Sequence, residues 1–158
     1  MKKMILILGI AIGLYACSGN APKQTSTADQ PATEAAKAEK APSYDPERGT
    51  GKFTSVTVSP ALDKKLADAG NKIYDMKCAS CHKLTDEKLV GPGWKGVTGR
   101  HKPEWILNFV TNTDEMIEKD PKAQAMLELC MVRMPNQNLS DEEARNVYEF
   151  MRKNDGVK

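Results

Sequence analysis

Hydrophobic positions divide the chain into three stretches. The first is an apolar run from Met4 to Leu14, interrupted only by Gly9 and Gly13 and preceded by Lys2 and Lys3. From Ser18 to about Thr57 large apolar side chains nearly vanish. From Val58 onward they return at the three- and four-residue spacing of amphipathic helices. Ser59 and Pro60, followed by Leu62, Leu66, Ala69 and Ile73, predict a helix from about Pro60 to Cys78. Lys102-Pro103-Glu104 opens a second, with Trp105, Ile106, Phe109 and Val110 on one face. Asp120-Pro121 opens a third, with Met126, Leu129 and Cys130 in phase. Ser140-Asp141-Glu142-Glu143 has the pattern of a capping box, and Ala144, Val147, Tyr148 and Met151 form the stripe of the last helix. The Gly-rich segment from Gly91 to Gly99 reads as a loop, and no βαβ alternation or internal repeat is visible. The predicted class is all-α, with four short helices.

The first run is well short of the roughly 20 residues that span a membrane. Its basic start and apolar middle have the layout of a secretory signal. Leu14-Tyr15-Ala16-Cys17 resembles the lipobox of bacterial lipoproteins, with Tyr15 larger than is usual there. That resemblance implies a signal peptide over residues 1–16 and acylation of Cys17. It also implies a protein held on the periplasmic side of a bacterial membrane, Ser18 favouring the outer one. Each buried methylene of such an anchor contributes about 0.8 kcal/mol. Residues 17–57 are rich in Ala, Pro, Lys, Glu, Thr and Ser and read as a disordered linker. As a flexible coil it would span roughly 35 Å. The globular domain is expected over residues 58–158.

Charge narrows the choice of partner. The chain has 23 Lys and Arg against 21 Asp and Glu. Without Lys2 and Lys3 the cations fall to 21 and the two signs balance, which excludes a nucleic-acid-binding polycation and gives no strong long-range steering. Four cysteines are too few for a disulfide scaffold. About a hundred residues in four helices make a thin core, so a bound group is expected to fill it.

Cys78-Ala79-Ser80-Cys81-His82 has the spacing that attaches c-type haem. Two thiols three positions apart can reach two vinyl groups on one porphyrin edge, and the next residue can offer an imidazole nitrogen to iron. A redox dithiol would need a βαβ framework, which is missing. Structural zinc would need Cys130 or His101 as further ligands, at a spacing that is no recognised pairing. A plain disulfide between Cys78 and Cys81 leaves His82 unexplained.

From about Ala69 to Asn154 the sequence resembles a class I monohaem cytochrome c. Gly70-Asn71-Lys72-Ile73-Tyr74 before the cysteine motif is similar to the first helix of that family, where a Gly and an aromatic cross the C-terminal helix. Val147, Phe150 and Met151 are the matching partners. Gly91-Pro92 and the following Trp94 to Arg100 resemble the loop on the His side of the haem. The resemblance implies that the Pro92 carbonyl accepts from His82, Trp94 packs on the haem and Arg100 lies near a propionate. Trp105 is a further propionate donor or a plain core residue.

Met134-Pro135 resembles the family's Met-Pro loop, which implies Met134 as the second axial ligand, with Met131 as the competitor. Met116 and Met126 read as core or surface fillers and Met151 as a helix-packing residue. His101 reads as solvent-exposed and Cys130 as a small buried hydrophobe, with an intermolecular disulfide as the alternative. The implied cofactor is one covalent haem c, ligated by His82 and Met134. With both axial positions filled, the expectation is a monomeric, non-enzymatic carrier of single electrons between membrane-bound respiratory donors and acceptors. A haem enzyme or gas sensor with a labile Met, and a fixed electron-entry subunit of a terminal reductase, are the alternatives.

Overall fold

The computed structural model describes residues 44–158; the expected signal segment, Cys17 and the expected linker up to residue 43 lie outside the described residues. Among the described residues all regular structure is helical, with two isolated bridges, Asp45 to Gly49 and His82 to Lys88. The elements are α1 (Lys64–Lys77), α2 (Val97–Arg100), α3 (Pro103–Thr111), α4 (Thr113–Lys119), α5 (Pro121–Cys130) and α6 (Asp141–Asn154). None of these helices is long and apolar enough to cross a membrane. The four predicted helices are present as α1, α3, α5 and α6. The short α2 and α4 are additional.

Sequence chemistry accounts for most of the ends. Ser140 accepts from the Glu143 N–H while Glu143 reaches back to the Ser140 N–H, so the capping box of α6 is complete. Acidic residues at its start and Arg152 and Lys153 in its last turn suit the helix dipole. Asp120 caps α5 through the Ala123 N–H, and Pro103 and Pro121 occupy first-turn positions where a missing N–H costs nothing. The start of α1 is a correction. It is capped by Asp63, which accepts from Leu66, and residues 59–62 precede it. The carbonyls of Ser59 and Pro60 are taken by Arg152, whose guanidinium is held by the buried carboxylate of Glu149.

α1 packs principally on α6, and α3 also leans on α6. A Cβ at Gly70 would stand inside the carbonyl of Asn146 and close to Phe150 Cβ. The missing side chain is therefore what lets the two backbones cross. Of the three partners expected for this crossing, Phe150 makes the contact; Val147 and Met151 are buried on the same helix.

Residues 44–57, expected as linker, are instead laid against the domain. The Phe53 ring is buried. Fully buried Asn108 accepts from the Phe53 N–H and donates to the carbonyls of Arg48 and Phe53. Glu104 accepts from Val56 at 2.7 Å. Gly49 and Gly51, both at positive φ, lie where a Cβ would meet the side chains of Met116 and Asn108. The Tyr44 hydroxyl donates to Asp120 at 2.7 Å.

Partial burial pushes the Tyr44 phenol up to about 12, aided by the Asp120 hydrogen bond and the charges of Asp120 and Asp45. The fold thus favours the neutral phenol. Its contribution is complete below the ordinary tyrosine value of about 10 and is lost as pH rises through 12. Limited proteolysis of residues 44–57 should accelerate over that window, and Tyr44→Phe should remove this step.

Candidate functional site

The last turn of α1 delivers the cysteine motif. The Tyr74 carbonyl accepts from the N–H groups of Cys78 and Ala79, and the Cys78 carbonyl from those of Cys81 and His82, so the chain coils tightly through the motif. The Tyr74 hydroxyl donates to the His82 carbonyl at 2.7 Å. Cys78 is buried and Cys81 half-buried, and neither is part of a disulfide. Burial pushes the Cys78 thiol up to about 11.

His82 Nδ1 lies 2.9 Å from the Pro92 carbonyl oxygen. That bond fixes the tautomer with the proton on Nδ1 and leaves Nε2 as a lone-pair donor. Burial holds the imidazole below its usual range, against the opposing effect of the Pro92 bond. Gly91 lets the loop pass this ring closely, since a Cβ there would overlap the imidazole. The N–H groups of Val90 and Gly91 return to the Cys81 carbonyl, completing a small cradle around His82.

Two cavities, of about 90 and 350 Å³, open on this motif. Both are lined by His82, Pro92, Phe109, Met126 and Met134, so they are halves of one cleft. Cys81 and Cys130 line the smaller half; Trp94, Arg100 and Trp105 line the larger. The lining is predominantly apolar, with one imidazole and two thioethers facing it from both halves. A flat hydrophobic group bearing a soft metal-binding centre fits this donor set, and the thiol on the wall fits covalent attachment. His82, Met134, Cys78 and Cys81 are the residues that would hold it. Among the described residues no group of three or more His, Cys, Asp or Glu is placed to bind a metal ion.

The structure sorts the remaining candidates. Trp94 is buried, with its ring 5.6 Å from His82 and 5.0 Å from Tyr74. Arg100 lines the cleft, and its guanidinium donates to the carbonyls of Gly93 and Lys95, bracing its own loop. Trp105 is committed elsewhere: its indole N–H donates to Asp120 at 3.1 Å. His101 is half-buried, which corrects the expectation of exposure. It stacks on Trp105 at 4.0 Å, and its Nδ1 is buried without a protein partner. Burial, then Lys122 and Arg100, hold it below the usual range.

Met134 faces both halves of the cleft, whereas Met131, at positive φ, is 83% exposed. Met76 is 75% exposed, and Met116 is buried beneath Gly49. Met126, read as a filler, also faces both halves. Cys130 is half-buried on the cavity wall.

One functional residue gave no sequence signal. Asp155, just past α6, accepts from the Gly96 N–H at 2.6 Å and from the N–H and hydroxyl of Thr98 at 2.9 and 2.7 Å. It anchors the start of α2 and so the loop that carries Pro92 and Trp94. Asn154 adds a bond to the Leu84 carbonyl. Nothing in the local sequence distinguishes Asp155 from any acidic residue behind a helix.

The chain is similar to known proteins. A cytochrome c-553-like protein of Synechocystis sp. is 29% identical over 84 residues, covering 49% of this chain and 80% of that protein. The cytochrome c of Rhodothermus marinus superposes with a TM-score of 0.64 at 30% identity, covering 66% of this chain and 90% of that one. An engineered form of the Rhodothermus marinus protein, bound to a carbene intermediate, gives a TM-score of 0.63 at 30% identity, over 70% of this chain and 98% of that one. Residues 67–155, from the first turn of α1 to Asp155, match the cytochrome c family model. Attachment motif, braced imidazole, apolar cleft and helix crossing all fall within that match, and the chain belongs to the cytochrome c family, a c-type cytochrome of electron transfer with covalently bound haem c.

Proposed function

We propose that this cytochrome is a dedicated carrier of single electrons rather than an enzyme, with His82 and Met134 as the two axial ligands. The observation that carries the reading is the Pro92 carbonyl on His82 Nδ1, which orients Nε2 into a cleft that Met134 shares. Haem iron supplies the reversible one-electron change. The protein's residues keep the imidazole in one tautomer, present a soft sulfur, and surround both with apolar side chains that exclude water. With both positions occupied by protein donors, no site is left for a substrate, and the coordination changes little between oxidation states.

Met134 is favoured over Met126 because it lies in an irregular segment stiffened by Pro135, whereas Met126 sits inside α5. The expected result is that Met134→Leu abolishes the near-infrared sulfur-to-iron band. It should also lower the midpoint potential by on the order of 0.2 V, a fraction of the roughly 0.8 V that axial ligands command. Met131→Leu and Met126→Leu should retain the band. Loss of the band in Met126→Leu alone would reassign the ligand. Rapid carbon monoxide binding to the reduced wild-type protein, or peroxide turnover, would instead favour the labile-Met enzyme or sensor reading.

The same proposal places the carrier on the periplasmic side of a bacterial membrane, anchored through acylated Cys17. Its partners are membrane-bound respiratory donor and acceptor proteins, and it works as a monomer. Support comes from the sequence at residues 1–17. Because residues 44–57 pack on the domain, the tether is confined to residues 18–43. Incorporation of a palmitate analogue that persists in Cys17→Ala would overturn the anchor.

A further inference from the structure

The chain contains two histidines, and the site described above uses one of them. His82 is committed on both sides of its ring, with Nδ1 bonded to Pro92 and Nε2 left for iron. His101 stands on the wall of the larger half of the same cleft. Among the described residues lining that half, Arg100 is the only other ionisable side chain, and it keeps its charge at any ordinary pH. His101 is therefore the one group on this wall that can exchange a proton near neutral pH.

Stacking fixes its place. His101, Trp105 and Phe109 follow one another at intervals of four residues, with ring centroids 4.0 and 5.1 Å apart and planes 16° and 8° from parallel. The middle ring is held in turn by the bond from its indole N–H to buried Asp120. Nδ1 of His101 is buried with no protein partner, so the protein does not commit that nitrogen as donor or acceptor. The charges that face the ring are mixed: Arg100 from α2, Lys122 from α5, Asp120 at the cap of α5, and Glu47 from the N-terminal segment. Reduction of the haem adds one electron to the cleft, and an apolar lining screens that charge poorly. At a separation of about 10 Å and an effective dielectric constant of about 20, one unit of charge changes a proton's affinity roughly tenfold. Solvent at the exposed part of the ring reduces this to between about threefold and tenfold.

We propose that His101 couples proton binding to electron transfer: it takes up a proton from solvent as the cleft gains its electron and returns that proton as the electron leaves. The redox donor supplies the electron and the solvent the proton, so the step balances with no further reactant. The proposal rests on the carrier reading above and makes the protein a carrier of hydrogen equivalents over a limited range of pH.

The midpoint potential of the holoprotein as a function of pH tests it. Burial, then Lys122 and Arg100, hold His101 below the usual histidine value of about 6.5, against Asp120 and Glu47. The potential should therefore fall as pH rises through that region and level off above about pH 8. A threefold to tenfold difference in proton affinity between the two oxidation states is a total fall of about 30–59 mV, a factor of ten being 59 mV for one electron. His101→Gln should lose this fall. In the wild-type protein the His101 ring protons, followed by NMR, should titrate at higher pH in the reduced form than in the oxidised form, a measurement that needs no variant to fold. A flat wild-type potential, or equal titration points in the two states, would overturn the proposal. So would a fall that persists unchanged in His101→Gln, which would place the proton on another group, the cofactor's own carboxylates included. Without a reversible one-electron couple in the wild-type protein the carrier reading fails and this proposal with it; with one, the outcomes above judge His101 alone.

Discussion

Gly70→Ala is expected to destabilise the domain by about 3 kcal/mol or more, at the upper end of what overpacking usually costs. The added methyl meets the Asn146 carbonyl and Phe150 Cβ, and the carbonyl belongs to the backbone of a helix that cannot rotate it away. α1 and α6 must separate, and the contacts of Ile73, Tyr74, Val147 and Phe150 loosen together. At roughly 4–8 °C per kcal/mol for a domain of this size, the melting temperature should fall by well over ten degrees. Thermal denaturation of the holoprotein measures this. A melting temperature within a few degrees of wild type would mean that the helices can slide apart without loss. The His82 site should degrade with it, since α1 carries the attachment motif and Tyr74 holds the His82 carbonyl.

The second large effect is expected at Asp120, a fully buried carboxylate far from the attachment motif in sequence. It caps α5, accepts from the Trp105 indole and the Tyr44 hydroxyl, and so joins α5, α3 and the N-terminal segment. Asp120→Ala removes the cap and leaves the buried indole N–H without an acceptor, for a combined cost of about 3–5 kcal/mol. Asp120→Asn retains an acceptor and should recover part of it. A double-mutant cycle with Tyr44→Phe should show strong coupling, because both changes break one hydrogen bond. Additive losses would mean that the Tyr44 contact contributes nothing. Denaturant titrations of the four proteins supply the cycle.

How far the sequence discloses this molecule depends on which kind of interaction fixes each part. The capping box at Ser140 and the prolines at residues 103 and 121 fix helix starts locally, and α3, α5 and α6 begin where those residues predict. The attachment motif is legible because covalent and metal chemistry constrains spacing tightly, and the Pro92 contact is legible through the family resemblance of its loop. The start of α1 is misjudged at Ser59 because the residue that decides it is Arg152, at the other end of the domain. Residues 44–57 look like linker because they are held chiefly by backbone groups bonded to Asn108 and Glu104, and a backbone bond leaves no trace in side-chain pattern. Asn108 itself, a polar residue within the apolar face of α3, was the available clue. Helix α4 has no side-chain cap at Asn112 and follows directly on α3, so neither pattern nor capping announces it.

The dependence of α1 on α6 also orders events during biogenesis. Residues 64–82 are synthesised before residues 141–155, which supply the surface α1 leans on and the carboxylate that clasps the Pro92 loop. Until the C-terminal segment arrives, the nascent chain cannot close over Cys78 and Cys81. Both sulfurs therefore stay open to attachment while the rest of the chain is made, and final closure comes as the last helix docks.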